Sequence, residues 1–218
     1  MILCLLLYNL GGFISYIVMA DNDKADMFVV ASVYMGVSAV LFAFYLAESP
    51  EQRMTVIKRG YIAGAVIASV IGILSYFDVA GLASLSPMGR AQGTYKDPNV
   101  LSTYIILPAL FLIQDVMLRS SGSKMLRAAA LLTILACLFL SFSRGAWLNF
   151  VFSTVMMIGL TFMLTPSARL RSRIVMLTVI GIGLATVLIM YLLTIEEVRT
   201  LFYDRLTLVK SYDTGETG

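Results

Sequence analysis

Two arginines stand where long apolar runs break off. One is Arg90, in Met88-Gly89-Arg90-Ala91-Gln92-Gly93-Thr94-Tyr95-Lys96-Asp97-Pro98-Asn99; the other is Arg144, in Ser141-Phe142-Ser143-Arg144-Gly145-Ala146-Trp147. A guanidinium keeps its charge in apolar surroundings, and its planar fork of donors matches a phosphate with two parallel bonds. Charge held at a bilayer boundary is costly, so this pair points to work on an anionic ligand. A plainer reading stays open beside it: Arg144 snorkels to the membrane surface, and the Arg90 segment is an ordinary capped loop.

The residues around each arginine extend the argument. Asn99 follows Pro98 and is placed to cap the helix that starts there, whose outward N-terminus favours an anion. Lys96 adds a second cation to that segment, and Tyr95 a ring able to stack on a sugar or a lipid. Arg144 is expected to end one helix, with Gly145 turning the chain and Trp147 opening the next helix at the interface. Ser141, three residues earlier, is expected to share its helical face and orient its guanidinium. Asn149 is a polar group within the following span, expected near the same pocket.

Other chemistries find little support. Histidine is absent, which removes the commonest general base and metal ligand. The two cysteines, Cys4 and Cys137, lie inside apolar runs and read as small buried hydrophobes. Asp21-Asn22-Asp23 has no supporting partner, so neither a metal nor any other cofactor is expected. No P-loop, nucleotide fingerprint or nucleic-acid motif is present.

The elements that must position these groups follow from composition. Of 218 residues, 59% are hydrophobic and 13% charged, about half the usual charged fraction. The mean hydropathy is +0.88. The apolar runs lack the period-two alternation of a β-barrel, so the expected fold is all-α, a polytopic transmembrane helical bundle over 1–194. About seven spans of roughly 17–22 residues are expected, near 1–20, 27–47, 60–77, 99–118, 128–142, 147–165 and 174–194, the fifth being shorter and expected to continue into Ser143 and Arg144. Residues 195–218 carry mixed charges, among them Glu196, Glu197, Arg199 and Arg205, and read as the start of a large outward loop. The chain starts abruptly in Ile2-Leu3-Cys4 and ends in polar Glu216-Thr217-Gly218, so it reads as a fragment of a longer protein.

Loop charges orient the bundle. Connections 48–59, 119–127 and 166–173 hold nine of the sixteen basic residues, and the intervening connections hold few. The positive-inside rule makes the first set cytoplasmic. Met1 is then cytoplasmic, and both arginine segments and the tail face outward. Gly64, Ala68 and Gly72, and again Gly181 and Ala185, repeat at four-residue spacing, which predicts close helix contact. Pro108 is expected to kink the fourth span.

The segment Arg90-Ala91-Gln92-Gly93-Thr94-Tyr95-Lys96-Asp97-Pro98-Asn99 resembles the R-x-x-G-T-F-x-D/N-P-N stretch of the bacterial O-antigen ligase and polymerase superfamily, with tyrosine in place of phenylalanine. Ser143-Arg144-Gly145-Ala146 is similar to the family's S-R-G-A/G, and Arg205 with Thr214-Gly215-Glu216-Thr217-Gly218 resembles the start of its large periplasmic loop. The resemblance covers roughly residues 60–218.

It implies a metal-independent, inverting glycosyltransferase of the bacterial inner membrane, working at the periplasmic face. Its members move a glycan from an undecaprenyl diphosphate carrier to an acceptor hydroxyl, on the lipid A core in ligases or on the growing polysaccharide in polymerases. By the same resemblance Arg90 and Arg144 are the catalytic pair. Tyr95, Lys96, Asn99, Ser143, Trp147 and Arg205 bind substrate. No nucleic acid is expected among the partners. In ligases of the family a histidine late in the large loop activates the acceptor; this chain has no histidine and stops before that region, so the fragment is expected to lack a complete site and ligase is not separated from polymerase. A flippase for lipid-linked sugars is the rival expectation, and an inactive fragment a third. A flippase would place charges along its path, and these spans are nearly free of them.

Overall fold

A computed structural model describes residues 2–18, 25–118 and 123–206. Among them there are eight α-helices, one 3-10 segment and no strand. The helices are α1 (Ile2–Val18), α2 (Ala25–Glu48), α3 (Pro50–Tyr76), α4 (Pro98–Leu118), α5 (Lys124–Leu140), α6 (Arg144–Leu164), α7 (Ala168–Leu192) and α8 (Glu196–Leu206). The 3-10 turns cover Val79–Leu85.

Five helices are long and apolar enough to cross a membrane: Met27–Glu48, α3, α4, α6 and α7. Two more apolar helices, α1 and α5, have 17 residues each and are shorter than these. The outward faces bear large apolar side chains, such as Phe152 at 71% and Leu164 at 81% exposure. A solvent of lipid tails accommodates such faces, and water does not. The chain is a helical membrane protein.

The chain divides into two compact units, residues 1–57 and 58–218. In the first, α1 packs on α2, where the Ser32 hydroxyl donates to Asn9 Oδ1 at 3.0 Å. Arg53 pairs with Glu48 and lies 4.5 Å over the Tyr45 ring. Cys4, expected in a core, is exposed on α1.

The second unit is built around α4, which contacts α5, α6 and α7. Leu101, Ile105 and Ala109 of α4 pack with Ile134 and Cys137 of α5, all at 0% exposure. Small residues bring α3 into this core as the spacing predicts. A Cβ on Gly64 would lie 2.9 Å from the Tyr104 hydroxyl, and one on Gly72 would lie 3.1 Å from both Cys137 Sγ and Leu101 Cδ2. The second small-residue pair does not behave this way. Nothing lies within 4 Å of a Cβ on Gly181, and Gly181 is exposed. Spacing shows that a close approach is permitted; burial on both sides makes one happen.

The two ends of α4 carry the charges. At its C-terminus, Lys58 Nζ pairs with Asp115 at 2.8 Å. Arg127 donates to the Asp115 carbonyl and Arg173 to the Val116 carbonyl, each at 3.1 Å. These cations satisfy the carbonyls left open where a helix ends, and they suit its negative pole. Lys58 lies in α3, Arg127 in α5 and Arg173 in α7, so the helical structure begins earlier than the sequence reading placed it, and these three cations meet at one end of the unit. The arginine segments gather at the other end.

Candidate functional site

The site is assembled at the N-terminal end of α4. Asp97 starts that helix: its carbonyl accepts from Val100 and Leu101, and its carboxylate accepts from the Asn99 amide at 2.6 Å. Pro98 then takes the first helical position, where its missing N–H costs nothing. The expectation that Asn99 caps α4 is therefore corrected, because the acid two residues earlier is the better-placed acceptor. The Asn99 side chain faces Arg90 instead.

Arg90 is 7% exposed and spans three elements. Its Nε donates to the Ser141 carbonyl at 2.7 Å, just past the end of α5, and its Nη2 donates to Asn99 Oδ1 at 3.2 Å, at the start of α4. One residue on, the Ala91 amide donates to the Leu140 carbonyl at 3.0 Å. The segment is thus stitched to the α5 terminus by backbone and side chain together. Arg90 acts as a buried clamp.

The loop needs two further devices to lie this close. Gly93 has φ +59°, and a Cβ there would lie 3.3 Å from the Gly72 backbone nitrogen, so only glycine meets both conditions without strain. Gln92, 6% exposed, donates through Nε2 to the carbonyls of Tyr95 (2.8 Å) and Lys96 (2.9 Å), folding the loop on itself. On the other side, Ser75 of α3 and Ser86 share a 2.8 Å hydroxyl contact.

Arg144 differs from the expectation and from Arg90. It opens α6, with Ser143 as the N-cap, whose hydroxyl accepts from the Ala146 amide at 3.4 Å. The helix break comes earlier: α5 ends at Leu140, and Phe142 sits in the left-handed region at φ +47° while only 1% exposed. A bulky residue held there costs of order 1–3 kcal/mol, and the surrounding packing must hold it. Because the chain turns at Phe142, Ser141 and Arg144 share no helical face. Ser141 donates from its hydroxyl to Leu138 (2.7 Å), and its carbonyl serves Arg90, so its expected role beside Arg144 is also corrected. Arg144 is half-buried and has no hydrogen-bond or ion-pair partner among the described residues.

The remaining expected residues scatter in role. Trp147 is half-buried: its Nε1 donates to the Leu138 carbonyl at 3.0 Å, and its ring stacks on Phe139 at 5.6 Å and 12°. It also faces Phe142 and Phe202. These contacts make it a packing element that fastens α8 to the α5–α6 turn.

Tyr95 lies 5.3 Å from the Tyr104 ring, which in turn lies 4.9 Å from Tyr61. Burial, with Tyr104 beside it, pushes the Tyr95 phenol up to about 12, so it stays a neutral hydroxyl at physiological pH. Lys96 is exposed, and its ammonium has no partner among the described residues. Asn149 is exposed on α6 and accepts from Ser153 at 3.0 Å. The side chain of Arg205, the Asp21-Asn22-Asp23 run and the stretch from residue 207 onward lie outside the described residues.

This end of α4 carries cations as the other does, set here against the Asp97 carboxylate. The N-termini of α4 and α6 both point here, and Arg90, Lys96 and Arg144 add full charges. No cluster of three or more metal-binding side chains occurs among the described residues. Beside Gly89, a cleft of about 290 Å³ opens between Tyr76, Glu197, Thr200 and Leu201. It was missed from the sequence because α3, the Gly89 turn and α8 are far apart along the chain, and because the acidic start of α8 reads as a solvated face. No family model, curated protein or solved structure matches the chain.

Proposed function

We propose that the protein transfers a glycan from undecaprenyl diphosphate to an acceptor hydroxyl at the outer surface of the bacterial inner membrane, as an O-antigen ligase or polysaccharide polymerase. In this reading α1 and α5 join the five long helices to make seven crossings. The basic connections, and Met1, are cytoplasmic, and the arginine end of α4 is periplasmic. The resemblance carried by the Arg90 and Arg144 segments supplies the identity of the carrier. Acceptors are the lipid A core or a growing polysaccharide.

The observation that supports it most is the state of Arg144. It starts a helix at the rim of an apolar bundle, three residues after the Ser141 carbonyl that holds Arg90, and no described residue neutralises it. A guanidinium with no counter-charge among the described residues, at a helix N-terminus, favours a multiply charged oxyanion. Attack at the anomeric carbon expels a diphosphate, and negative charge grows on the departing oxygen. Arg144 stabilises that charge where water is scarce. Arg90 positions it by holding the α5–α6 turn through Ser141, and Lys96 adds charge at the entrance.

The test is glycan transfer by the full chain carrying Arg144→Ala. Transfer should fall by about 100-fold or more, with membrane insertion intact. Arg144→Lys should also be impaired, since a point charge does not replace the fork. Unchanged polymer or capped lipopolysaccharide in Arg144→Ala would refute the reading.

A further inference from the structure

The cleft beside Gly89 contains chemistry that the arginines do not supply. Its walls are Tyr76 at the end of α3, Gly89 in the turn before Arg90, and Glu197, Thr200 and Leu201 of α8. The two acids that open α8 behave differently. Glu196 reaches Arg199 at 3.7 Å, whereas the Glu197 carboxylate has no ion-pair or hydrogen-bond partner among the described residues. The Tyr76 hydroxyl is buried and likewise lacks a partner among them. A buried hydroxyl without a bond costs roughly 1–3 kcal/mol, which is recovered when the side chain turns its hydroxyl to a ligand in the cleft.

The cleft's place ties it to both arginines. Gly89 precedes Arg90, and the Tyr76 ring lies 6.2 Å from Phe142, two residues before Arg144. Leu201 is followed by Phe202, whose ring packs on Phe139 and Trp147 at 5.6 and 5.9 Å, so α8 is anchored to the same turn. An anion is disfavoured beside the Glu197 carboxylate. Neutral hydroxyls are favoured there, since carboxylate, phenol and threonine together accept and donate to a sugar. The charges therefore divide the work: cations on the diphosphate side, a carboxylate on the hydroxyl side.

We propose that this cleft binds the saccharide acceptor and that Glu197 is the general base of the transfer, an inference that rests on the glycosyl-transfer reading above. The acceptor O–H bond breaks and its proton goes to the Glu197 carboxylate. The acceptor oxygen bonds to the anomeric carbon of the donor, and the bond from that carbon to the diphosphate oxygen breaks, its electron pair leaving on the diphosphate beside Arg144. Tyr76 and Thr200 hold the acceptor.

The experiment uses membranes from cells producing the full chain, supplied with lipid-linked glycan extracted from the same cells, with binding of undecaprenyl diphosphate to the purified protein measured separately. Glu197→Gln should slow transfer about 100-fold and leave undecaprenyl diphosphate binding within about twofold of the parent. Glu197→Asp should regain about a tenth of the parent rate. Tyr76→Phe, which removes only the hydroxyl, should cost about fivefold in transfer. Parent-like transfer by Glu197→Gln, or loss of carrier binding as large as its loss of transfer, would overturn the assignment of the cleft while leaving the arginine site standing. Undiminished transfer by Arg144→Ala, or none by the parent chain, would instead overturn glycosyl transfer by the arginine site and the cleft assignment with it.

Discussion

The two ends of α4 use the same residue types in opposite ways. At the C-terminal end, Lys58, Arg127 and Arg173 are bound to Asp115 and to the closing carbonyls. At the N-terminal end, Arg90 is bound to Ser141 and Asn99, but Arg144, at the start of α6, meets no described partner. A cation that finishes a helix C-terminus is explained by that helix. A cation placed at a helix N-terminus works against the dipole, and it needs another reason to be there. The contrast separates structural arginines from a candidate ligand-binding one, which counting basic residues does not do.

The largest effect expected from this contrast is on transfer. Arg144→Ala should abolish it and leave thermal stability nearly unchanged, since no described contact is lost; a large drop in melting temperature would make Arg144 a structural residue like the others. Arg90→Ala comes next. It strips a partner from the Ser141 carbonyl and from Asn99, so about 1–3 kcal/mol of stability should go together with activity. Thermal unfolding in detergent would show the loss, and an inactive but fully stable Arg90→Ala would instead move Arg90 to the substrate.

Asp115→Asn tests the opposite end. It should cost about 1–3 kcal/mol by breaking the Lys58 pair while transfer stays within about twofold of the parent. A strong loss of transfer would mean that the ends are coupled. The smallest effect is expected at Tyr95. Its phenol is raised from 10.0 to about 12, so the neutral form is favoured in the folded state. That contribution is full below pH 10 and disappears as pH rises through about 12. Tyr95→Phe should therefore flatten the loss of stability across this alkaline window, and leave the profile below it unchanged.

Much of the fold was legible because apolar length is a strong signal: each of the five long helices overlaps a run read from the sequence, although α3 starts at Pro50, inside the expected connection 48–59. Helix ends were less so. Pro98 marked the start of α4, yet the cap proved to be Asp97, and Asn99 was turned to Arg90 by a contact nine residues away in the chain. Phe142 was opaque for a related reason. Nothing in its type announces a left-handed backbone, which only the packing around Tyr76, Phe139 and Trp147 sustains. That turn set Arg144 at the start of a helix instead of its end. Glu197 was hidden likewise, because its importance lies in which wall of a cleft it forms.

The most direct measurement is binding of undecaprenyl diphosphate to the purified full chain and to its Arg144→Ala and Asp115→Asn variants. The account predicts that Arg144→Ala weakens binding about 10- to 100-fold and that Asp115→Asn leaves it unchanged. Equal binding by the parent and Arg144→Ala, or equal weakening in both variants, would contradict it.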